Sequence, residues 1–362
     1  MKHFKHHQID KKKWDTCISS SKENIIYAFS WYLDCVSLNW EAFILEDKEN
    51  YLAVMPLPTK KKYGIPFLQV PLFAQQLGIF STQKLSSLEF KTFLIVLQKK
   101  FQLVSNYPFN TTNYEEFENE FEEVFTDKED EKNENILKKY KTHHLSLQHN
   151  YFSIRQNYKK DTKYRINQAQ KQNFEIIRKT EIDDIDLLYT FFEESVFLEN
   201  GISKQAKPIL KVLFKILKEK KLAELYYTQN QDKEGKQTIR SGILFVKNES
   251  IYQVDNQNYS TTKWIYLFNA TNNSAKTKDE SRRWFLDKFI QEKINNFNEK
   301  KNVIQILDFE SAQEKEVARF YSSFGSEEKS FFVVDYNKLP FYIKSSQKII
   351  HLIKQLIKRK IL

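Results

Sequence analysis

The chain has 362 residues, a net charge of +10 and 41% hydrophobic residues, with 30 Phe and 19 Tyr among them. This apolar content excludes an intrinsically disordered protein, and the length predicts two domains at roughly 150 residues each. Only six glycines occur, and neither GxGxxG nor GxxxxGK(S/T) is present, which argues against a glycine-rich phosphate-binding loop.

The composition also bears on location. No apolar run approaches the roughly 20 residues that cross a bilayer, and no hydrophobic segment follows the charged N-terminus, so we expect no signal peptide. Cys17 and Cys35 lack metal-ligand spacing, and the seven histidines form no metal set. We therefore expect a cytoplasmic protein without a bound metal.

Hydrophobic periodicity and turn residues predict the elements of the first half. In chain order they are a helix over Asn24–Leu38, strands over Trp40–Leu45 and Tyr51–Leu57, a proline-punctuated stretch from Pro56 to Pro71, a helix over Lys84–Phe101, a strand near Leu103, an acidic segment over Glu115–Glu134 and a strand over Ile136–Leu147.

The second half is predicted to alternate strands and helices. The order is a helix over Tyr151–Lys171, a strand over Phe174–Arg178, helices over Ile182–Glu199 and Lys204–Lys218, strands over Leu222–Thr228, Arg240–Val246 and Ser250–Val254, a helix over Lys278–Phe297 that opens on a Thr277–Glu280 capping box, a strand over Val303–Leu307, a helix over Gln313–Phe324 and a strand over Lys329–Asp335. Two mixed α/β units of similar order indicate a tandem repeat of one fold.

Three strings in this order resemble the FemAB-like proteins of the GNAT acyltransferase superfamily, in the form common in Bacteroidetes. They are MPLPTKKKYGIPFLQVPLFAQQLGIFS (Met55–Ser81), YFSIRQNYKKDTKYRINQAQKQNFEI (Tyr151–Ile176) and LDFESAQEKEVARFYSSFGS (Leu307–Ser326), and the resemblance covers roughly residues 20 to 340. It implies two tandem GNAT-like domains of mixed α/β class, over residues 1–148 and 149–340, followed by a tail at 341–362.

The resemblance also implies an activity, the transfer of an acyl or aminoacyl group to an amine. Fem transferases move an amino acid from aminoacyl-tRNA onto a cell-wall precursor peptide, and other relatives use acyl-CoA. The glycines of the CoA-binding signature (R/Q)xxGx(G/A) are absent from Asn269–Trp284, and Ser311 with Ala312 replaces the family's Gly-Ser pair. Aminoacyl-tRNA is therefore the favoured donor, because side chains would obstruct the close approach of a pyrophosphate to the backbone.

Asp308 and Glu310 are the predicted catalytic residues. Both follow a strand and precede a helix, where ligands of α/β proteins often bind, and either carboxylate can accept the proton of an attacking amine. The alternative is structural, because a carboxylate there can also pair with Arg319 or cap the next helix. Arg319 and Tyr321 on that helix are further candidates for substrate binding.

Other polar residues are candidate substrate ligands. Asn269 and Ser274 precede a predicted helix N-terminus that can hold a phosphate or carboxylate, or they belong to an ordinary polar loop. Gln69, Gln75 and Gln76 can line a groove for a peptide or glycan, or bond between strands. The remaining candidates are two cations, for phosphate contact or for a solvated face, and a polar pair near the expected cleft: Lys163, Arg165, Asp255 and Asn256.

Charge is distributed unevenly, since Glu115–Glu134 holds eleven acidic residues and two lysines, leaving about +19 on the remainder. This basic excess suits anionic partners such as tRNA, nucleotides or anionic lipid, or it reflects a Lys-rich surface. The tail Ser345–Leu362 is predicted to be a basic amphipathic helix that lies on the inner membrane surface or docks on the protein's own core.

The favoured function is transfer to a small-molecule or peptide amine acceptor, such as a cell-envelope precursor. Two alternatives stay open, a CoA-dependent GNAT N-acetyltransferase and a catalytically silent GNAT-like binding protein.

Overall fold

The computed structural model describes residues 1–62, 64–126, 136–196, 205–231, 235–254, 257–273, 280–296, 303–311, 314–341 and 343. The strands of these segments are β1 Lys2–Phe4, β2 Glu41–Glu46, β3 Tyr51–Leu57, β4 Thr59–Lys62, β5 Ile65–Gln69, β6 Phe80–Ser81, β7 Leu103–Pro108, β8 Leu137–Ser146, β9 Glu175–Lys179, β10 Ala223–Gln231, β11 Gln237–Val254, β12 Gln257–Thr271, β13 Val303–Ser311 and β14 Glu327–Asn337. The helices are α1 Lys11–Ser20, α2 Ser30–Val36, α3 Ser87–Lys100, α4 Thr111–Phe125, α5 Tyr151–Gln156, α6 Lys160–Gln170, α7 Asp184–Val196, α8 Ala206–Glu219, α9 Ser281–Asn295 and α10 Lys315–Ser322.

The strands form two sheets. A four-stranded antiparallel sheet has the order β1-β2-β3-β6, and a ten-stranded mixed sheet has the order β4-β5-β7-β14-β8-β13-β12-β11-β10-β9. In the larger sheet β12 runs parallel to β13 and β5 runs parallel to β7. The large mixed sheet places β13 in its interior, with neighbours on both sides.

Both faces of the ten-stranded sheet are covered, because successive side chains of a strand point to opposite faces. On β11, Leu244 and Val246 belong to a core shared with the N-terminal helices. Ile243 and Phe245 belong to a second core under α5, α6, α9 and α10. Phe245 stacks on Phe289 of α9 with ring centroids 3.8 Å apart. Alternate apolar side chains of β11 therefore pack into the cores on both faces of the sheet.

Several predicted elements match the structure closely. The predicted helix Lys84–Phe101 is α3, which begins after a capping box in which Ser86 and Glu89 each accept the backbone N–H of the other. The predicted strand Ile136–Leu147 is β8.

Two helices were missed and one prediction merged two helices. The sequence interpretation did not include α1, or α4 within the acidic segment, whose buried side chains include Phe117, Phe121 and Phe125. The single helix predicted over Tyr151–Lys171 is divided into α5 and α6, because the backbone N–H of Lys159 bonds to the carbonyl of Ser323 at 2.9 Å. That break is a tertiary contact that local periodicity does not encode.

The strands of the second half also differ from prediction. The two strands predicted over residues 240–254 are the single strand β11, and β12 was missed, because its first residues are polar and obscure the alternation. β13 continues past Leu307 through both predicted catalytic carboxylates.

The ten-stranded sheet also contains strands from both predicted domains. β8 lies between β13 and β14, and β14 pairs with β7. The division at residue 148 stays a prediction. Among the described helices, none has the length and apolarity that a membrane span requires.

Candidate functional site

Asp308 and Glu310 lie where the ten-stranded sheet becomes irregular. β12 and β13 pair as far as Ile265 and Asp308, yet β12 continues to Thr271 and β13 to Ser311. On the other side of β13, the register with β8 shifts between Asp308 and Ser311. We call the diverging segments, residues 266–271 and 309–311, the β12–β13 split.

The backbone of Glu310 has an unusual conformation at this split. Its φ is +65°, in the left-handed region that costs a non-glycine residue about 1–2 kcal/mol. The Asp308 carboxylate stabilises this conformation, because its Oδ1 accepts the Glu310 backbone N–H at 2.8 Å and the Thr142 hydroxyl at 2.9 Å. Positive φ at a side chain other than Gly or Asn is often found where function requires a particular geometry.

Asp308 is buried yet held ionised. Burial by itself would raise the pKa of its carboxyl, but His144 and Lys263 outweigh burial and hold that pKa below its usual value. Nε2 of His144 lies 3.2 Å from Oδ2 of Asp308. The hydrogen bond from the Glu310 backbone N–H also lowers the pKa of Asp308. The ionised Asp308 carboxylate and the left-handed conformation of Glu310 therefore stabilise each other.

Glu310 is held in the opposite protonation state. Its side chain is buried, and burial raises the pKa of its carboxyl well above the usual value. Its Oε1 accepts a short hydrogen bond from the hydroxyl of Tyr27, which belongs to a buried turn before α2. Two carboxyl groups two residues apart thus have pKa values displaced in opposite directions, a pattern associated with separate acid and base roles.

A second ion pair extends from Asp308 toward solvent. Nζ of Lys263 lies 3.2 Å from Oε1 of Glu23, and the Thr112 hydroxyl donates to Oε2 of Glu23 at 2.6 Å. Burial by itself would raise the pKa of the Glu23 carboxyl, but the charges of Lys263 and His144 and the hydrogen bond from Thr112 together lower it below its usual value. Together with His144 these side chains line a cleft of about 240 Å³.

The other wall of the split carries hydroxyl and amide groups. The ring of Tyr321 stacks on Phe309 with centroids 5.0 Å apart, and burial raises the pKa of Tyr321 to about 12. Asn269 Oδ1 accepts from Arg282 at 2.8 Å. Tyr321 therefore remains a neutral hydroxyl donor at physiological pH.

Tyr266 of β12 lies beside Tyr321 of α10, and its hydroxyl has no hydrogen-bond partner in the described part of the chain. It is 2% exposed, and no group within the described segments hydrogen-bonds to its oxygen. A buried hydroxyl without a protein partner costs about 1–3 kcal/mol unless water or a ligand satisfies it. Such an orphaned donor marks the split as a place for a polar ligand atom.

Among solved structures, FemX has a TM-score of 0.55 at 9% identity, over 92% of this chain and 97% of that one. The chain has the fold of FemX. A conserved protein of unknown function from Bacteroides thetaiotaomicron has a TM-score of 0.51 at 9% identity, over 90% of this chain and 96% of that one. No family model and no curated protein matches the sequence.

The FemX-like fold confirms the mixed α/β fold class predicted from the sequence. The tandem division of that fold at the predicted boundary is a separate matter and stays a prediction.

Two of the predicted glutamines follow closely in sequence on a residue that contacts the split. Gln75 is half-buried and Gln76 buried in the segment after Phe73, whose ring contacts Phe268 of β12 with centroids 5.8 Å apart. Gln69 ends β5, four strands from β13 or about 19 Å at 4.8 Å per strand, and accepts from a lysine. Substrate binding by these amides stays a prediction.

The predicted cations lie on the exterior. Lys163 donates to the carbonyl of Gln156 at 2.7 Å, and Arg165 pairs with Asp161 and Glu280 at 2.7 Å each. Arg319 is exposed on α10, whereas the pairing partner found for Asp308 is His144. Substrate roles for these cations also stay predictions.

Four predictions fall outside the described residues. They concern Asp255, Asn256 and Ser274 as substrate ligands, and the tail helix Ser345–Leu362. Asn269, predicted in a loop, lies in β12. No group of three or more His, Cys, Asp or Glu side chains suited to a metal occurs in the described ranges.

Sequence reasoning missed Tyr27, His144, Lys263 and Tyr266 as parts of the site. Tyr27 and Glu310 are 283 residues apart, so no local pattern links them. A weak signal existed for the histidine, because alternation in the predicted strand Ile136–Leu147 places His143 and His144 on opposite faces.

Proposed function

We propose that this protein is an acyl- or aminoacyltransferase that acts on an amine acceptor. The observation that supports the proposal most is Glu310, a buried carboxyl group with a raised pKa at the split of a FemX-like sheet. The Fem transferases that the sequence resembles suggest an amine of a cell-envelope precursor as the acceptor.

Aminolysis of an ester or thioester requires proton transfer at two atoms. The acceptor nitrogen forms a bond to the carbonyl carbon and loses a proton, while the bond to the leaving oxygen or sulfur breaks and that atom gains a proton. Glu310 is our candidate for both transfers: its carboxyl, held protonated by burial, donates a proton to the leaving atom, and the carboxylate so formed accepts the proton that the acceptor nitrogen loses. Tyr27 orients the carboxyl by donating to Oε1.

We assign Asp308 a positioning role. Its carboxylate is already occupied by the Glu310 N–H, the Thr142 hydroxyl and His144, and its lowered pKa makes it a weak base. It holds Glu310 in the left-handed conformation that brings the second carboxyl to the split. This refines the sequence hypothesis, in which the two carboxylates were interchangeable.

The carbonyl oxygen of the donor develops negative charge during the reaction and needs hydrogen-bond donors. The hydroxyls of Tyr266 and Tyr321 are our candidates, because both are buried beside the split and the first has no hydrogen-bond partner among the described residues. Asn269 and Arg282 complete the polar wall. A donor on this wall and an acceptor beside Glu310 would meet between the separated strands.

The test begins with the donor. We expect aminoacyl-tRNA to raise the melting temperature and to lose its amino acid to an amine in a radiolabel transfer assay. Stabilisation by acyl-CoA with thiol release would instead favour the CoA-dependent alternative. Failure of both donors to stabilise the protein or to react would contradict the transferase proposal and favour a binding protein.

Glu310→Gln then tests the site. The amide keeps the size of the side chain and an oxygen for Tyr27 but cannot transfer a proton, so we expect a loss of about 10²–10⁴ in rate. The matched control is Glu316→Gln on the exposed face of α10, which should retain full activity. Full activity of Glu310→Gln would remove this residue from the mechanism.

A further inference from the structure

A second cleft, away from the split, is rich in positive charge. It has a volume of about 430 Å³ and is lined by five cationic side chains but only one carboxylate, Glu224. We call it the Trp264 cleft, after the indole that lines it. Its cations are Arg178, Lys179, Lys218, Lys221 and Lys247.

The cleft is distinct from the split. Trp264 lies in the part of β12 that still pairs with β13, two residues before the split begins, and the other lining residues come from β9, α8, β10, β11 and the segments beside them. The cleft lies where β9 and β10 meet the end of α8. None of its lining residues belongs to the machinery proposed above.

Ion pairs within the fold account for only some of these cations. Arg178 lies 3.2 Å from Glu224, Lys179 lies 3.8 Å from Asp184, and Lys247 lies 2.5 Å from Glu249. For Lys218 and Lys221, no carboxylate in the described segments comes within ion-pair distance. The end of α8 attracts lysines through its dipole, but that attraction does not explain the cations contributed by β9 and β11.

The indole of Trp264 supplies a second, independent observation. Trp264 is 7% exposed, and its Nε1–H has no acceptor among the described residues. Nζ of Lys293 lies 4.1 Å from the ring centroid and 2.8 Å from Glu224, so it offsets the charge of the one carboxylate that lines the cleft. An unsatisfied donor combined with an excess of cations favours an anion that accepts hydrogen bonds.

We propose that the Trp264 cleft binds the phosphate groups of a small, multiply charged phosphate ester. A phosphate monoester carries about two negative charges and three acceptor oxygens, whereas a carboxylate carries one charge. The volume is sufficient for a ligand of nucleoside-diphosphate size. The proposal does not depend on the transferase function.

The test is calorimetric titration of the full chain with ADP and with inorganic pyrophosphate. Lys218→Gln combined with Lys221→Gln should weaken binding about tenfold or more, because each removes a charged partner without leaving a buried carboxylate unpaired. Lys12→Gln combined with Lys99→Gln makes the same change in net charge at exposed positions elsewhere and should leave affinity unchanged.

Trp264→Phe provides a second variant that keeps an aromatic ring and removes the indole donor, so it should also weaken binding. Absence of binding by both phosphates at millimolar concentration would overturn the proposal, as would equal affinity for citrate. An equal loss of affinity in the Lys12→Gln, Lys99→Gln control would show that only net charge matters, and this result would also overturn the proposal. Binding of a single-stranded RNA oligonucleotide without binding of ADP or pyrophosphate would replace it with a nucleic-acid surface.

Discussion

Asp308→Asn directly tests how the irregular end of β13 is held. The amide has the same size and can still accept the Glu310 N–H, but it removes the negative charge that faces His144 and Lys263. Loss of one partner from a buried ion pair costs about 3–5 kcal/mol. Because Glu23 remains beside Lys263, we expect the lower end of that range, about 3 kcal/mol.

This cost can be expressed as a melting temperature. An unfolding entropy of about 2.1 cal/mol/K per residue gives about 0.76 kcal/mol/K for the 362 residues, so Tm should fall by about 4 °C if the chain unfolds in one transition. The assay is differential scanning calorimetry at pH 7. Asp335→Asn is the matched control, because its partner Lys138 is partly exposed and such pairs contribute at most about 1 kcal/mol.

The pH dependence supplies a second readout. Asp308 has a folded-state pKa below its unfolded value of about 3.9, so its stabilisation is complete above that value and is lost as the pH falls through the folded-state pKa. The Tm difference between wild type and Asp308→Asn should therefore be constant from neutral pH to about pH 5 and should narrow below about pH 4. Equal melting temperatures of the two proteins at pH 7 would refute the argument that this carboxylate is held ionised by its neighbours.

Three further substitutions test other parts of the structure. Glu310→Gln should gain stability relative to wild type as the pH rises from 4 to 7, because folding must neutralise the wild-type carboxyl above its unfolded pKa of about 4.3; a difference in Tm that does not change with pH would contradict this. Tyr266→Phe should leave Tm equal or higher while it lowers the transfer rate, and a fall of several degrees would reveal an internal partner for the hydroxyl. Gly242→Ala should lower the free energy of unfolding in urea by about 1–3 kcal/mol, since its Cβ would lie 2.6 Å from Cε1 of Tyr227 and 2.9 Å from Cδ1 of Leu188. Unchanged stability would show that both of these side chains can move aside.

The elements that the sequence predicted well are those with a clear local period. α3 has a capping box at Ser86 and buried apolar residues at helical spacing, and β8 and β14 appear within a few residues of their predicted bounds. In α4 the signal was present as well, because Asn110 caps the helix and Phe117, Phe121 and Phe125 recur every four residues. The segment was instead interpreted only as a run of acidic residues.

β12 shows why other elements escaped. Its first half carries Thr261, Thr262 and Lys263, polar residues that tertiary partners accommodate, such as Glu23 for the lysine. A strand interior with a charged residue does not match the hydrophobic alternation of a covered strand. Its parallel pairing with β13, which ends where the split begins, follows from the crossover through α9 and is not encoded in either strand alone.

The sequence by itself determined the fold class and directed attention to Asp308 and Glu310. Strand alternation, helix spacing and the resemblance of Leu307–Ser326 to FemAB-like proteins are all properties of residues that are neighbours in the chain. Only the tertiary structure decided that these carboxyl groups differ. Asp308 is ionised because β8 and β12 bring His144 and Lys263 to it, and Glu310 is held neutral beside Tyr27 in an apolar enclosure. A pKa depends on burial and on nearby charges, and here those charges come from residues that are distant in the chain.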